Sequence, residues 1–191
     1  MNQIPVKDIY GKIINKIKNY SSHEIKSITY KYLLLKFDVS STDILLNRNI
    51  IFPENIDDIL LNDIKKINDG YPIQYITCSE FFLDLKFYIN NNVLIPRPET
   101  EELVTHVIDR EKSNKTKKVL DIGTGSGCIA ISIKKNINSE VHAIDISDEA
   151  IKVAKENSLN LSQEVRFYNQ SLETYKPIEK FDVIISNPPY I

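Results

Sequence analysis

Four short apolar runs after residue 117 constrain this chain most: KVLDI, EVHAID, EVRFY and FDVIIS. The first is followed by a helix-patterned stretch over 126–135, with Ile129, Ile131 and Ile133 among its apolar residues. The second is followed by a helix capped by Ser147 and running to about residue 159. Strands too short and too apolar to be solvated on one face, alternating with helices, imply a parallel sheet wrapped on both faces. The expected fold class is α/β, with an incomplete parallel sheet of about four strands.

The turn after the first strand reads Asp121-Ile122-Gly123-Thr124-Gly125-Ser126-Gly127. Glycines let the backbone turn sharply and let a ligand approach closely at the carboxyl end of a strand, where open α/β sheets bind their ligands. The spacing is G-x-G-x-G, not the dinucleotide G-x-G-x-x-G, and no G-K-[ST] ends the loop as a P-loop would require. No surplus of basic residues accompanies it to meet a phosphate. A cofactor with a nucleoside and no phosphate suits such a turn, and S-adenosylmethionine is one. Its ammonium can be met by an acid near the turn, here Asp121. The second strand ends in Asp145, placed to accept hydrogen bonds from ribose hydroxyls.

The fourth strand runs into Asn187-Pro188-Pro189-Tyr190 at that same expected edge. The prolines cannot continue a paired strand and hold the backbone extended. An Asn side-chain carbonyl and a carbonyl at Pro188 are two acceptors, and Tyr190 offers an aromatic face. Together they suit a planar –NH₂ on a conjugated system.

The N-terminal part has a different texture. Ile25, Ile28, Tyr32 and Leu35 recur at helical spacing behind a cap at Ser21 or Ser22. Ile56, Ile59, Leu60, Ile64 and Ile67 form a second stripe between Pro53 and Gly70. Shorter helices are expected over 8–20 and 42–47. EFFLDLKFYI, the turn signal Asn90-Asn91-Asn92 and Val93-Leu94-Ile95 then predict a hairpin. A helix over 99–111 follows the prolines of PRPETEELV. The expected organisation is a helical domain over 1–70, a hairpin linker over 71–98 and a cofactor-binding domain over 99–191.

A hydrophobic content of 42% and a net charge of −2 over 191 residues describe an ordinary globular chain with no global attraction to nucleic acid or anionic membrane. Two cysteines, Cys78 and Cys128, are too few for a disulfide scaffold or a thiolate metal site, and His23, His106 and His142 show no ligand spacing. The start, MNQIPVKDIYGK, lacks the apolar core of a signal peptide, and no run approaches ~18 apolar residues. A cytoplasmic location without membrane association is expected.

VLDIGTGSG, AID and SNPPYI, preceded by PIQYI and NVLIPRPETEELV, resemble the release factor glutamine methyltransferases (PrmC/HemK) over residues 71–191. The resemblance implies a class I methyltransferase that uses S-adenosylmethionine to methylate the side-chain amide nitrogen of the glutamine in the GGQ loop of class I peptide chain release factors. Residue by residue, it implies that Gly123, Thr124, Gly125, Ser126 and Gly127 line the methionine part of the cofactor and that Asp145 binds ribose. It implies that Asn187, Pro188, Pro189 and Tyr190 grip the substrate amide. Pro96, Arg97, Pro98, Glu99, Thr100 and Glu101 would border the pocket, with Arg97 and Glu101 toward substrate. The chain departs from the family at three places. A family glycine is Cys78. The acid that touches adenine is replaced by Leu172, leaving Glu173 next to it as the candidate. Relatives also continue for several strands past the proline pair, so weak or no activity is expected of these residues alone. The alternatives are an amino-methyltransferase acting on adenine in nucleic acid and a non-enzymatic fragment that binds release factors.

Overall fold

The structure, a computed structural model, describes residues 2–112, 115–178 and 180–188. The chain divides into two compact units, Met1–Ser79 and Glu80–Ile191.

The first unit runs β1 (Asn2–Pro5), α1 (Val6–Ile14), α2 (Ser22–Phe37), α3 (Ser41–Leu45), β2 (Asn49–Phe52), α4 (Ile56–Asn68) and α5 (Ile73–Thr77). α2 begins where Ser21 and Glu24 exchange side-chain-to-backbone hydrogen bonds, and α3 begins on the same device from Ser40 and Asp43. Each pair satisfies two amide groups that a helix start leaves without partners. The second expected stripe forms the core, with Ile56, Leu60, Ile64 and Ile67 buried together with Phe52; of the first, Tyr32 is buried there beside Leu33, while Ile25 and Ile28 pack on it half-buried. Two features depart from the helical expectation. β1 and β2 pair antiparallel, Gln3 opposite Ile51, so a two-stranded ribbon joins the bundle. The unit also extends past residue 70, because α5 packs on α2 and α4 and buries Ile76 in their core. α5 ends on Cys78 in the left-handed conformation, φ 54°. Glycine adopts that conformation freely, whereas a side chain there costs about 1–2 kcal/mol.

The second unit opens with the hairpin β3 (Ser79–Phe82) and β4 (Leu85–Tyr88). The expected turn at Asn90-Asn91-Asn92 is not the hairpin turn. The chain reverses at Leu83-Asp84, both with positive φ (46° and 61°), as the tight two-residue hairpin turn requires. The Leu83 N–H donates to Glu101 Oε1 at 3.0 Å, which gives the strained turn a fixed acceptor.

After it come α6 (Pro98–Glu111), β5 (Lys117–Ile122), α7 (Cys128–Asn136), β6 (Ser139–Asp145), α8 (Asp148–Asn160), β7 (Arg166–Asn169) and β8 (Val183–Ser186). The sheet order is β7-β6-β5-β8, with every neighbouring pair parallel. The chain starts in the middle of the sheet, moves outward twice, then returns to the far side of β5. Right-handed crossovers therefore put α7 and α8 on one face and carry the β7–β8 connection over the other. That second face is covered by aromatic side chains of the connection, not by a helix among the described residues. Tyr175 and Phe181 pack on Leu120, Ile144 and Tyr168, and the Tyr175 hydroxyl lies 2.7 Å from His142 Nδ1. The register sets Ile122 opposite both Ile144 and Ser186, so the carboxyl ends of β5, β6 and β8 are level. No helix among the described residues is long and apolar enough to cross a membrane.

Candidate functional site

The site is built where those carboxyl ends meet. As β5 ends, the amides of Gly123 and Thr124 both donate to the Ile144 carbonyl at 2.9 and 3.0 Å, which folds the glycine turn against the end of β6. Gly125 N–H donates to Asp145 Oδ2 at 2.9 Å, and Ser147 N–H donates to Asp145 Oδ1 at 2.9 Å. One carboxylate thus holds both the turn after β5 and the start of α8. Each oxygen keeps a further lone pair for a ligand hydroxyl.

The three glycines serve two purposes. Gly123 (φ 74°) and Gly125 (φ 54°) would meet nothing with an added Cβ, so their positive φ shapes a rim open to a ligand. At Gly127 a Cβ would come within 3.0 Å of Ile131 Cδ1 and 3.1 Å of Ala154 Cβ. Gly127 is there so that α7 and α8 can approach each other. Thr124 and Ser126 are buried beneath the turn, 3% and 2% exposed.

Asp121 lies deeper still. It is fully buried; its Oδ2 accepts the Thr124 hydroxyl at 2.6 Å, and its Oδ1 has no partner among the described residues. Burial pushes its carboxyl up to about 7. The Thr124 hydroxyl and the Ala130 amide oppose the rise, while the Asp145 charge adds to it. The consequence for stability has a definite sign. Between about pH 4 and 7 the carboxyl is protonated when folded and ionised when unfolded. Unfolding then releases a proton, so rising pH weakens the fold across that window and has no further effect above it. Asp121→Asn removes the ionisation. Its urea midpoint is therefore expected to exceed that of the unaltered chain by a larger margin at pH 8 than at pH 5. An equal margin at both would contradict the assignment.

Asn157 was not expected from the sequence. It is 1% exposed on α8, and its amide fastens two segments at once. Oδ1 accepts from Tyr88 N–H at 2.7 Å, while Nδ2 donates to the carbonyls of Tyr88 (3.0 Å) and Ser126 (2.9 Å). The end of β4 and the underside of the glycine turn are tied to one side chain. The available signal was a polar residue in line with Ala150 and Ala154 on the buried stripe of α8.

On the β8 side, the Ser186 hydroxyl donates to the Ile122 carbonyl at 2.8 Å and holds the strand end against β5. Asn187 follows, and its Nδ2 donates to the Thr100 hydroxyl at 2.8 Å. A cleft of about 1170 Å³ runs along this rim, and Gly123, Gly125, Asp145, Asn187 and Pro188 all line it. Arg97, Thr100 and Glu173 line it too, whereas Glu101 is spent on the hairpin turn. Pro189 and Tyr190 lie outside the described residues. The apolar lining includes Ile146 and Leu172, 78% and 56% exposed.

Residues 99–191 match the family described as Methyltransferase small domain. A release factor glutamine methyltransferase of Clostridium acetobutylicum is 38% identical over 195 residues, covering 97% of this chain and 67% of that protein. This chain belongs to the release factor glutamine methyltransferase family. A member from Flavobacterium psychrophilum is 40% identical over 181 residues, covering 90% of the chain and 62% of that protein. One from Bacillus cereus is 43% identical over 159 residues, with 80% and 56% covered. The chain thus spans well short of the full length of these family members.

Proposed function

We propose that the cleft binds S-adenosylmethionine and presents its methyl group to the side-chain amide nitrogen of a glutamine, the one in the GGQ loop of a class I release factor. One observation carries this reading. The glycine turn with Asp145 and the Asn187-Pro188 pair line a single cleft at the carboxyl rim of the sheet.

The residues present fit the cofactor. Gly123 and Gly125 leave open space above the turn for the amino acid part. The Asp145 carboxylate is on the rim with lone pairs for two ribose hydroxyls, and Ile146 and Leu172 offer aliphatic faces for the adenine. Asp121 is buried below the turn and accepts the Thr124 hydroxyl, so its part in the cofactor site is to shape the turn. When bound, the cofactor supplies an electrophilic methyl on a sulfonium and departs as a thioether.

An amide nitrogen is a poor nucleophile, and alignment is what the protein can add, worth ~7–11 kcal/mol in ideal cases. Asn187 Oδ1 accepts one N–H of the incoming carboxamide and the Pro188 carbonyl accepts the other. Hydrogen bonding from those N–H groups raises electron density on nitrogen. The proton displaced on methylation leaves to water. The helical unit is assigned to recognition of the release factor, in the cytosol where that partner works.

Calorimetric titration of this chain with S-adenosylmethionine is expected to show one site. With a tritiated methyl donor and a class I release factor, label is expected on the glutamine amide, at a slow rate. Absence of any cofactor binding, or label accumulating on nucleic acid while the release factor stays unlabelled, would reject the proposal.

A further inference from the structure

Thr100 is the fully placed neighbour of the residue assigned to the substrate amide, and nothing in the reaction as described above uses it. It stands in the first turn of α6, where its own N–H donates to the Arg97 carbonyl at 3.0 Å. The residue is 6% exposed, so its side chain has little room to move. The hydroxyl oxygen accepts a hydrogen bond from Asn187 Nδ2 at 2.8 Å, and it reaches across 87 residues of sequence to do so.

We infer that Thr100 is a positioning residue that holds the Asn187 amide in place to meet the substrate. An asparagine amide is nearly symmetric in shape and opposite in chemistry at its two ends: one oxygen accepts, one nitrogen donates. A carboxamide entering with its –NH₂ forward needs an acceptor. Turned over, Asn187 would present its own –NH₂, and two donors would face each other. The Thr100 hydroxyl can accept or donate, so its bond fixes where the Asn187 amide lies, and the entering –NH₂ selects the orientation that presents Oδ1. Among the described residues Asn187 makes no other side-chain hydrogen bond, so Oδ1 is left to accept. The Ser186 hydroxyl anchors the backbone beside it to β5. The amide plane is therefore held from both ends, by the strand behind it and by α6 beside it.

This inference rests on the proposed role of Asn187, and the experiment separates the two. The probe is a Gly-Gly-Gln peptide blocked at both ends, titrated by NMR into the ¹⁵N-labelled 191-residue chain saturated with S-adenosylhomocysteine. Thr100→Val keeps the side-chain shape and removes the acceptor; Thr100→Ser restores the hydroxyl. Loss of one oriented hydrogen bond predicts about threefold to tenfold weaker peptide binding in Thr100→Val. Affinity for S-adenosylhomocysteine should change far less, and Thr100→Ser should recover most of the loss. Peptide binding unchanged in Thr100→Val overturns the positioning role alone. Thr100→Ser failing to rescue shows that the residue only packs, which overturns it too. If the unaltered chain binds S-adenosylhomocysteine and no carboxamide peptide, the assignment of Asn187 falls and this inference with it.

Discussion

Asn157→Ala is expected to lower the unfolding free energy of the second unit by about 3–5 kcal/mol, as large an effect as deleting a buried aromatic side chain. The loss comes from the groups left behind. Tyr88 N–H, Tyr88 C=O and Ser126 C=O all bond to this one amide in a site that is 1% exposed. Each buried backbone group without a partner costs about 1–3 kcal/mol, and water entering the vacated space recovers part of the sum. Asparagine is the side chain that fits, because Tyr88 requires one acceptor and one donor at adjacent atoms, as a neighbouring peptide strand would supply them. Asn157→Asp is expected to be no better than alanine, since an oxygen would replace the donor to two carbonyls. The same change reaches the cofactor rim. With Ser126 C=O released, the turn carrying Gly123 and Gly125 loses its underside support, and affinity for S-adenosylmethionine should fall with stability. Urea unfolding followed by circular dichroism measures the first effect and calorimetry the second. A loss under 1 kcal/mol would show that this amide is dispensable to the fold.

That bond network marks the limit of what the chain discloses unfolded. Local rules were legible. Ser21 and Ser147 cap the helices they precede, the four apolar runs are the four strands of the sheet, and the glycine turn follows the first of them. These features depend on neighbours a few residues apart, where periodicity and capping chemistry act. The β1–β2 ribbon was hidden because its partners are far apart in sequence and short. The hairpin turn was hidden because Leu83-Asp84 carries no glycine or asparagine, although both residues adopt the conformation those would favour. Within the site, the run 123–127 reads as one motif, yet it divides in three dimensions. Gly123 and Gly125 form the open rim, Thr124 and Ser126 are buried beneath it, and Gly127 is an interhelical contact. Glu101 shows the same limit. An acid in the first turn of a helix is well placed for a substrate, but a strained amide at Leu83 claims it first.

Asp145→Asn should raise the dissociation constant for S-adenosylmethionine by about tenfold to a hundredfold, through two separable effects. The first is direct. In the proposed binding mode the ionised carboxylate accepts from both ribose hydroxyls, and each such charge-assisted bond is worth about 1.5–3 kcal/mol. The second acts through the turn. Asp145 already accepts from Gly125 N–H and Ser147 N–H, one on each oxygen. Asparagine has one carbonyl oxygen, so one of these backbone donors must then face an –NH₂. The rim should shift or loosen there, costing stability of the order of 1–3 kcal/mol in its own right. A comparison of ligands divides the two effects. The unaltered chain should bind S-adenosylhomocysteine more tightly than an analogue lacking the ribose hydroxyls, and in Asp145→Asn that preference should shrink by most of the direct effect. If instead the variant weakens both ligands equally, Asp145 serves only to brace the glycine turn, and the ribose must be held by some other group on the rim. If neither affinity changes, the cofactor does not sit against the end of β6, and placing it in this cleft is wrong.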